Sequence, residues 1–79
     1  TEDWTKLISL HDIRGLIYCK LKEYTTALQT HKKVLELRRR LPNVQELDMA
    51  TSYTNIGLVH YYMKQYAEAL NFFQKDLNI

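Results

Sequence analysis

Residues 55–70 read NIGLVHYYMKQYAEAL, and this stretch decides the fold. It contains the apolar pattern of a helix, a short polar turn at Lys64 and Gln65, and the start of a second helix. Gly57 and Ala69 lie twelve residues apart, one on each side of the turn. A glycine inside a helix costs about 1 kcal/mol relative to alanine, and close packing is the usual compensation. We therefore expect the two helices to touch where these small residues lie.

The same arrangement occurs 42 residues earlier, where Gly15 and Ala27 are again twelve residues apart. Aligning each residue with the one 42 positions later gives eight identities: Gly15/Gly57, Leu16/Leu58, Lys22/Lys64, Tyr24/Tyr66, Ala27/Ala69, Leu28/Leu70, Lys33/Lys75 and Leu35/Leu77. Self-similarity at a fixed period of this size is typical of repeat architectures. The chain is therefore read as two copies of one helix-turn-helix unit.

Helical periodicity predicts an all-α fold of four antiparallel helices, at about residues 3–21, 24–40, 47–63 and 66–78. Pro42 ends the second helix, because proline cannot continue it. The first repeat then covers residues 1–42 and the second covers residues 43–79. Because the fourth helical pattern reaches the last residue, we expect the chain to be a piece of a longer α-solenoid.

Composition narrows the possible classes of protein. The 79 residues make one small domain at most, and two glycines and one proline favour helices over a turn-rich β fold. No run of 18 apolar residues is present, which argues against a membrane span. Cys19 is the single cysteine, which excludes an intramolecular disulfide and favours a reducing, cytoplasmic setting. A net charge of +2 is too small to indicate nucleic acid.

The repeated residues carry a resemblance to the tetratricopeptide repeat family, whose pattern is W-x2-L-G-x2-Y, then A-x3-F, then P. The matching positions are His11, Arg14, Gly15, Tyr18, Ala27, His31 and Pro42 in the first repeat, and Tyr53, Ile56, Gly57, His60, Ala69 and Phe73 in the second. The period of 42 resembles that of kinesin light chain repeats, and less closely that of spindle-orientation adaptors. The resemblance implies a protein–protein interaction scaffold with no enzymatic activity.

The resemblance also implies a concave face, lined by the first helix of each pair, that binds a peptide of a partner protein. The candidate peptide-binding residues are Asp12, Leu16, Lys20, Thr51, Asn55, Leu58, Tyr61 and Tyr62. Asn55 matches the position at which family members hydrogen-bond a peptide backbone, and an amide offers both a donor and an acceptor. Alternatively, Asn55 is a solvated polar residue, and one of the two tyrosines packs between the repeats while the other is partly exposed.

A group of basic residues near the end of the second helix allows several interpretations. It consists of Lys32, Lys33, Arg38, Arg39 and Arg40. These cations are suited to an acidic peptide, an anionic membrane or nucleic acid. Their spacing spreads them around the helix, so a solvated helix end is the favoured interpretation, with no membrane or nucleic-acid partner.

Motifs that carry chemistry are missing from the sequence. The three histidines lack cysteine or carboxylate neighbours at ligand spacing, and no glycine-rich phosphate loop is present, so we expect no metal and no cofactor. Two alternatives to a peptide-binding scaffold stay open: a non-binding spacer within a longer solenoid, and a regulatory appendage of a larger enzyme. Because stacks of this kind usually need three repeats, we also expect self-association through the open repeat ends.

Overall fold

The computed structural model describes residues 2–41 and 46–77, which form four helices. They are α1 (Glu2–Lys20), α2 (Tyr24–Arg40), α3 (Glu46–Tyr62) and α4 (Tyr66–Leu77). No strand occurs in these two described stretches, and the predicted all-α fold of two helix-turn-helix units is confirmed. The predicted stop at Pro42, the boundary between residues 42 and 43, and the expected helix end at residue 78 lie outside the described residues.

The turns within the two helix pairs have the same geometry. Lys22 and Lys64 both adopt a φ of 63°, in the left-handed region that non-glycine residues rarely occupy. Directly after them, the Glu23 amide donates to the Tyr18 carbonyl at 2.9 Å. The Gln65 amide donates in the same way to the His60 carbonyl, five positions back, at 2.8 Å. Each first helix therefore ends in a Schellman motif, which reverses the chain within three residues.

The helices pack in chain order, each against the next. α2 lies between α1 and α3, and α4 packs on α3, so α1 and α4 are the two ends of the stack. The Cα atoms extend over 37 × 28 × 13 Å, a flat shape for a chain of this length. Among the residues whose burial the structure describes, the buried apolar ones are Ile8, Ala27, Val34, Leu35, Ile56, Val59 and Ala69.

The two glycines lie where a second helix approaches closely, but their contacts differ from the expected pairing with alanine. A Cβ atom on Gly57 would lie 2.6 Å from the Phe73 ring and 3.3 Å from the carbonyl oxygen of Ala69. A Cβ atom on Gly15 would meet the His31 ring at 2.7 Å, and the three nearest atoms all belong to that ring. Each glycine therefore makes room for the aromatic ring of the residue four positions after the alanine. This residue occupies the F position of the A-x3-F part of the motif.

The end helices keep much of their apolar surface exposed. Leu10 and Ile17 on α1 and Leu21 directly after it lie at helical spacing, and each exposes more than half of its surface. On α4, Leu70 and Leu77 are likewise exposed. α1 packs mainly against α2 and touches α3 at few points, so much of its apolar pattern stays uncovered. The remaining apolar surface is available to a further helix.

Candidate functional site

A groove of about 400 Å³ runs between α1 and α3, over the first turn of α2. Its lining residues are Leu16, Cys19 and Lys20 from α1, Lys22 from the turn, Tyr24 and His31 from α2, and Asn55, Leu58, Val59 and Tyr62 from α3. Five of the eight predicted peptide-binding residues are therefore brought together in one place. Most of the lining surface is apolar, and the polar groups are few and at defined positions, as is common in ligand sites.

Asn55 lies where this groove meets a second depression. The second one has a volume of about 220 Å³ and is lined by Leu47, Ala50, Thr51, Thr54, Asn55 and Asp76. The side-chain amide of Asn55 has no hydrogen-bond partner among the residues that the structure describes, and Asn55 is half-buried. Its one donor group and one acceptor group are therefore both available to a ligand that passes from one depression to the other.

A cluster of tyrosines closes the end of the groove near the two turns. Tyr24 and Tyr62 stack across the two repeats, with ring centroids 6.3 Å apart and planes within 7°. Tyr61 contacts the edges of Tyr62 and Tyr66, each at a centroid distance of 5.6 Å. Both Tyr61 and Tyr62 still expose about half of their surface, at 51% and 53%. Tyr62 therefore packs between the repeats and is also accessible to a ligand, so the packing and the binding interpretations of this residue are compatible.

A chain of buried polar groups lies beneath the groove and joins three helices. His31 donates from Nδ1 to Asp12 Oδ1 at 2.8 Å, and Arg38 donates from Nη1 to Asp12 Oδ2 at the same distance. The Arg38 Nη1 group also lies 2.7 Å from Ser52 Oγ and 3.3 Å from the Asp48 carbonyl oxygen. The chain therefore ties α1 to α2 and both of them to α3, which sets the width of the groove between the repeats.

The protonation state of Asp12 follows from this environment. Burial raises the pKa of Asp12, but the hydrogen bond from His31 and the positive charge of Arg38 outweigh it, so its pKa lies below the usual 3.8. The carboxylate is therefore ionised at neutral pH and accepts from both donors. The other ring nitrogen of His31, Nε2, is buried and has no hydrogen-bond partner among the described residues.

Two sequence-based interpretations are corrected by this chain of contacts. Asp12 was expected on the concave surface, but it is 6% exposed and both carboxylate oxygens are used inside the fold. Arg38 was expected at a solvated helix end, but it is 6% exposed as well. The physical reason is that the two residues neutralise each other at the junction of three helices. Neither is therefore offered to a partner at the surface.

One predicted residue, Thr51, and the nearby Thr54 lie beside the groove. Thr51 is exposed, and its hydroxyl donates to the Leu47 carbonyl oxygen at 3.0 Å, so it borders only the second depression. Thr54 corresponds to Asp12 in the repeat alignment, and its hydroxyl donates to Asp76 of α4. The same position in both repeats thus links the first helix of a pair to its second helix.

Several groove residues were not among the candidate peptide-binding residues. They are Cys19, Lys22, Tyr24, His31 and Val59. Burial raises the pKa of the Cys19 thiol, which lowers the fraction present as thiolate at neutral pH. Lys22 and Tyr24 are repeated as Lys64 and Tyr66, so the repeat alignment contained a signal for them. His31 occupies the aromatic position of the motif, which signals a buried ring but not the carboxylate beside it.

Comparison with known proteins agrees with this arrangement. A family model described as tetratricopeptide repeat matches residues 6–79, which is nearly the whole chain. Repeats of this family generally mediate protein–protein interactions and typically form scaffolds without enzymatic activity. The kinesin light chain type of repeat stays a prediction. No significant match to a curated protein sequence or to a solved structure was found. In residues 2–41 and 46–77, no helix is long and apolar enough to cross a membrane. The chain belongs to the tetratricopeptide repeat family.

Proposed function

We propose that the groove between α1 and α3 binds an extended segment of a partner protein, and that this groove is the concave face of the module. The observation that carries the proposal is the position of Asn55 at the junction of two depressions, with an amide that lacks an internal partner. An extended peptide exposes alternating backbone donors and acceptors, so a single amide can bond it at one residue.

The surroundings of Asn55 supply the rest of a peptide site. Leu16 and Leu58 are equivalent residues of the two repeats and face the same groove, which provides apolar contact for a side chain of the ligand. Lys20 and Lys22 lie at one end of the groove and are exposed, so an acidic group near that end of the ligand is favoured. Tyr62 adds a half-exposed aromatic ring, a residue type that often anchors binding energy.

The groove is also held open before any ligand arrives. The contacts of Arg38 with Asp12 and Ser52 are made by side chains that are nearly or fully buried, and they join both walls of the groove through α2. A site that is formed in advance avoids part of the ordering cost of binding. The single cysteine is half-buried and consistent with the reducing cytoplasm that we propose as the compartment.

The test uses a phage-displayed library of random peptides selected on the immobilised chain. Enriched peptides are then synthesised, and their affinity is measured for the parent chain and for Asn55→Ala and Leu58→Ala. We expect Asn55→Ala to weaken binding about fivefold to tenfold, which corresponds to one lost hydrogen bond of about 1 kcal/mol. The matched control is Asn71→Ala on α4, an exposed residue that lies outside the groove. Affinities that are equal for all four proteins would contradict the proposal.

A second candidate function is favoured by one observation, the exposed apolar faces of the end helices. They belong to Leu10 and Ile17 on α1, Leu21 directly after α1, and Leu70 and Leu77 on α4, each of which is more than half exposed. Such faces suit stacking against further repeats, as in a spacer within a longer solenoid. A library selection that enriches no groove-dependent peptide, together with strong self-association of the chain, would favour this spacer role over peptide binding.

A further inference from the structure

A second groove lies on the side of α2 and α4, away from the groove described above. It has a volume of about 460 Å³ and is lined by Lys32, Leu35, Glu36 and Arg39 of α2, Ile56 of α3, and Phe72 and Lys75 of α4. None of these residues belongs to the proposed peptide groove or to the buried polar chain. We name this surface the α2–α4 groove.

Three cations surround the α2–α4 groove with little compensation. Lys32 and Arg39 are seven residues apart on α2 and therefore face the same direction, about 10 Å from each other along the axis. Lys75 approaches from α4 in the other repeat. The one acidic residue in the lining, Glu36, is exposed and accepts from Arg40 Nη2 at 2.8 Å, so the lining holds two more cations than carboxylates. The positive potential of the groove is therefore left for an external anion to neutralise.

The floor of the α2–α4 groove is apolar and recessed. Leu35 is 7% exposed, Ile56 is fully buried, and Phe72 is half-buried beside them. The Lys75 ammonium lies 4.8 Å from the centroid of the Phe72 ring, a cation–π distance that holds the cation at the rim. A recessed apolar floor with a cationic rim fits an aliphatic side chain flanked by carboxylates.

We propose that the α2–α4 groove binds an acidic segment of a partner protein, with an aliphatic side chain on the floor and carboxylates on Lys32, Arg39 and Lys75. Nucleic acid fits less well, since the Phe72 ring is stacked on His60 at 5.5 Å and so is not free to stack on a base. A membrane surface fits less well, because the apolar residues of the floor are recessed and cannot insert between lipids.

The experiment measures fluorescence anisotropy of a labelled peptide that has one leucine between two pairs of glutamates. The matched probe has glutamines in place of the glutamates. We expect the acidic peptide to bind and the glutamine peptide to bind at least about tenfold more weakly. We also expect binding to weaken when ionic strength rises from about 50 to about 200 mM, because exposed charges are screened.

Variants of the full chain locate the site. Lys32→Glu and Arg39→Glu each reverse one rim charge, and we expect each to weaken binding about threefold to tenfold. Lys33→Glu is the matched control, because it makes the same change of net charge on the same helix at an exposed residue outside the groove. Lys75→Gln tests the contribution of the second repeat. Circular dichroism confirms that every variant keeps its helices.

Four results would overturn the proposal. The first is equal binding of the two peptides. The second is an effect of Lys33→Glu as large as that of Arg39→Glu. The third is tighter binding of a single-stranded oligonucleotide, or of anionic lipid vesicles, than of the acidic peptide. The fourth is the absence of any anisotropy change up to about 1 mM protein, a concentration that detects interactions of about 4 kcal/mol.

Discussion

The Asp12 carboxylate of α1 accepts a hydrogen bond from the Arg38 guanidinium of α2 at 2.8 Å, at the point where α3 joins the pair. Both side chains are only 8% exposed, so the pair is shielded from solvent. Because Arg38 also reaches Ser52 of the second repeat, this relationship couples the packing of the first helix pair to the docking of the second.

We expect Arg38→Met to lower the free energy of unfolding by about 3–5 kcal/mol, because it leaves a buried carboxylate without its charged partner. Urea unfolding followed by circular dichroism measures this change. The matched control is Arg40→Met, which removes an exposed pair with Glu36 and should cost less than about 1 kcal/mol.

If Arg38→Met fails to fold, a second variant that restores stability is needed to assign the effect to the unpaired carboxylate. The triple variant Asp12→Leu, His31→Phe, Arg38→Met replaces the three ionisable members of the polar chain by apolar groups and leaves Ser52, and we expect it to recover most of the stability. Equal stabilities for Arg38→Met and Arg40→Met would show that the buried pair does not hold the repeats together.

Acid should destabilise the protein through Asp12. Its pKa is lower in the folded chain than its ordinary value of 3.8, so its stabilising contribution is complete above that pH and is lost as the pH falls through the lower folded value. We expect stability to decrease below about pH 4, and Asp12→Asn to show a smaller decrease over the same range. Thermal unfolding at a series of pH values measures both. An identical pH dependence for the two proteins would refute the assignment.

Gly15→Ala should destabilise the protein although alanine is the better helix former. The new methyl group would lie 2.7 Å from the His31 ring, which is fully buried and held by Asp12, so the ring cannot move aside easily. Overpacking of this kind costs about 1–3 kcal/mol. The control is Ser9→Ala at an exposed position of α1, where the same unfolding measurement should show little change.

Lys64→Gly should stabilise the turn between α3 and α4. Lys64 has a φ of 63°, a conformation that costs a residue with a Cβ atom about 1 kcal/mol and glycine little. We expect a gain of about 0.5–1 kcal/mol in the free energy of unfolding. The control is Gln74→Gly within α4, where glycine should cost about 1 kcal/mol instead. A loss of stability in Lys64→Gly would contradict the Schellman geometry.

The chain should associate with itself through its end helices. Leu70 of α4 is 57% exposed on an apolar face, and burying one such side chain contributes about 1.5–3 kcal/mol. We therefore expect sedimentation velocity to show a concentration-dependent rise in mass, and Leu70→Glu to weaken association at least about tenfold. Asn71→Glu makes a similar charge change at an exposed residue beside it and should have little effect. A folded monomer at high concentration would rule out this association.

The helices and the turns were predictable from the sequence because their causes are local. Apolar spacing, the small residues Gly57 and Ala69, and the repetition of Lys22 as Lys64 each act within a few residues of the chain. The groove residues Leu16, Asn55 and Leu58 were predictable for a related reason, since the repeat alignment assigns them to the same face of equivalent helices. Lys22 was overlooked because a turn has no helical face to assign, and Tyr24 because the binding face was assigned to the first helix of each pair and Tyr24 begins α2.

What the sequence by itself determined is the unit and its period, because both follow from contacts within one helix pair. Only the tertiary structure decided that Asp12 and Arg38 turn inward, since residues 26 positions apart can pair only after α1, α2 and α3 have met. The same holds for Lys75, which joins Lys32 and Arg39 at one groove although it lies in the other repeat. Pairing of charges between distant residues depends on how the helices pack, and the periodicity along a single helix does not predict that packing.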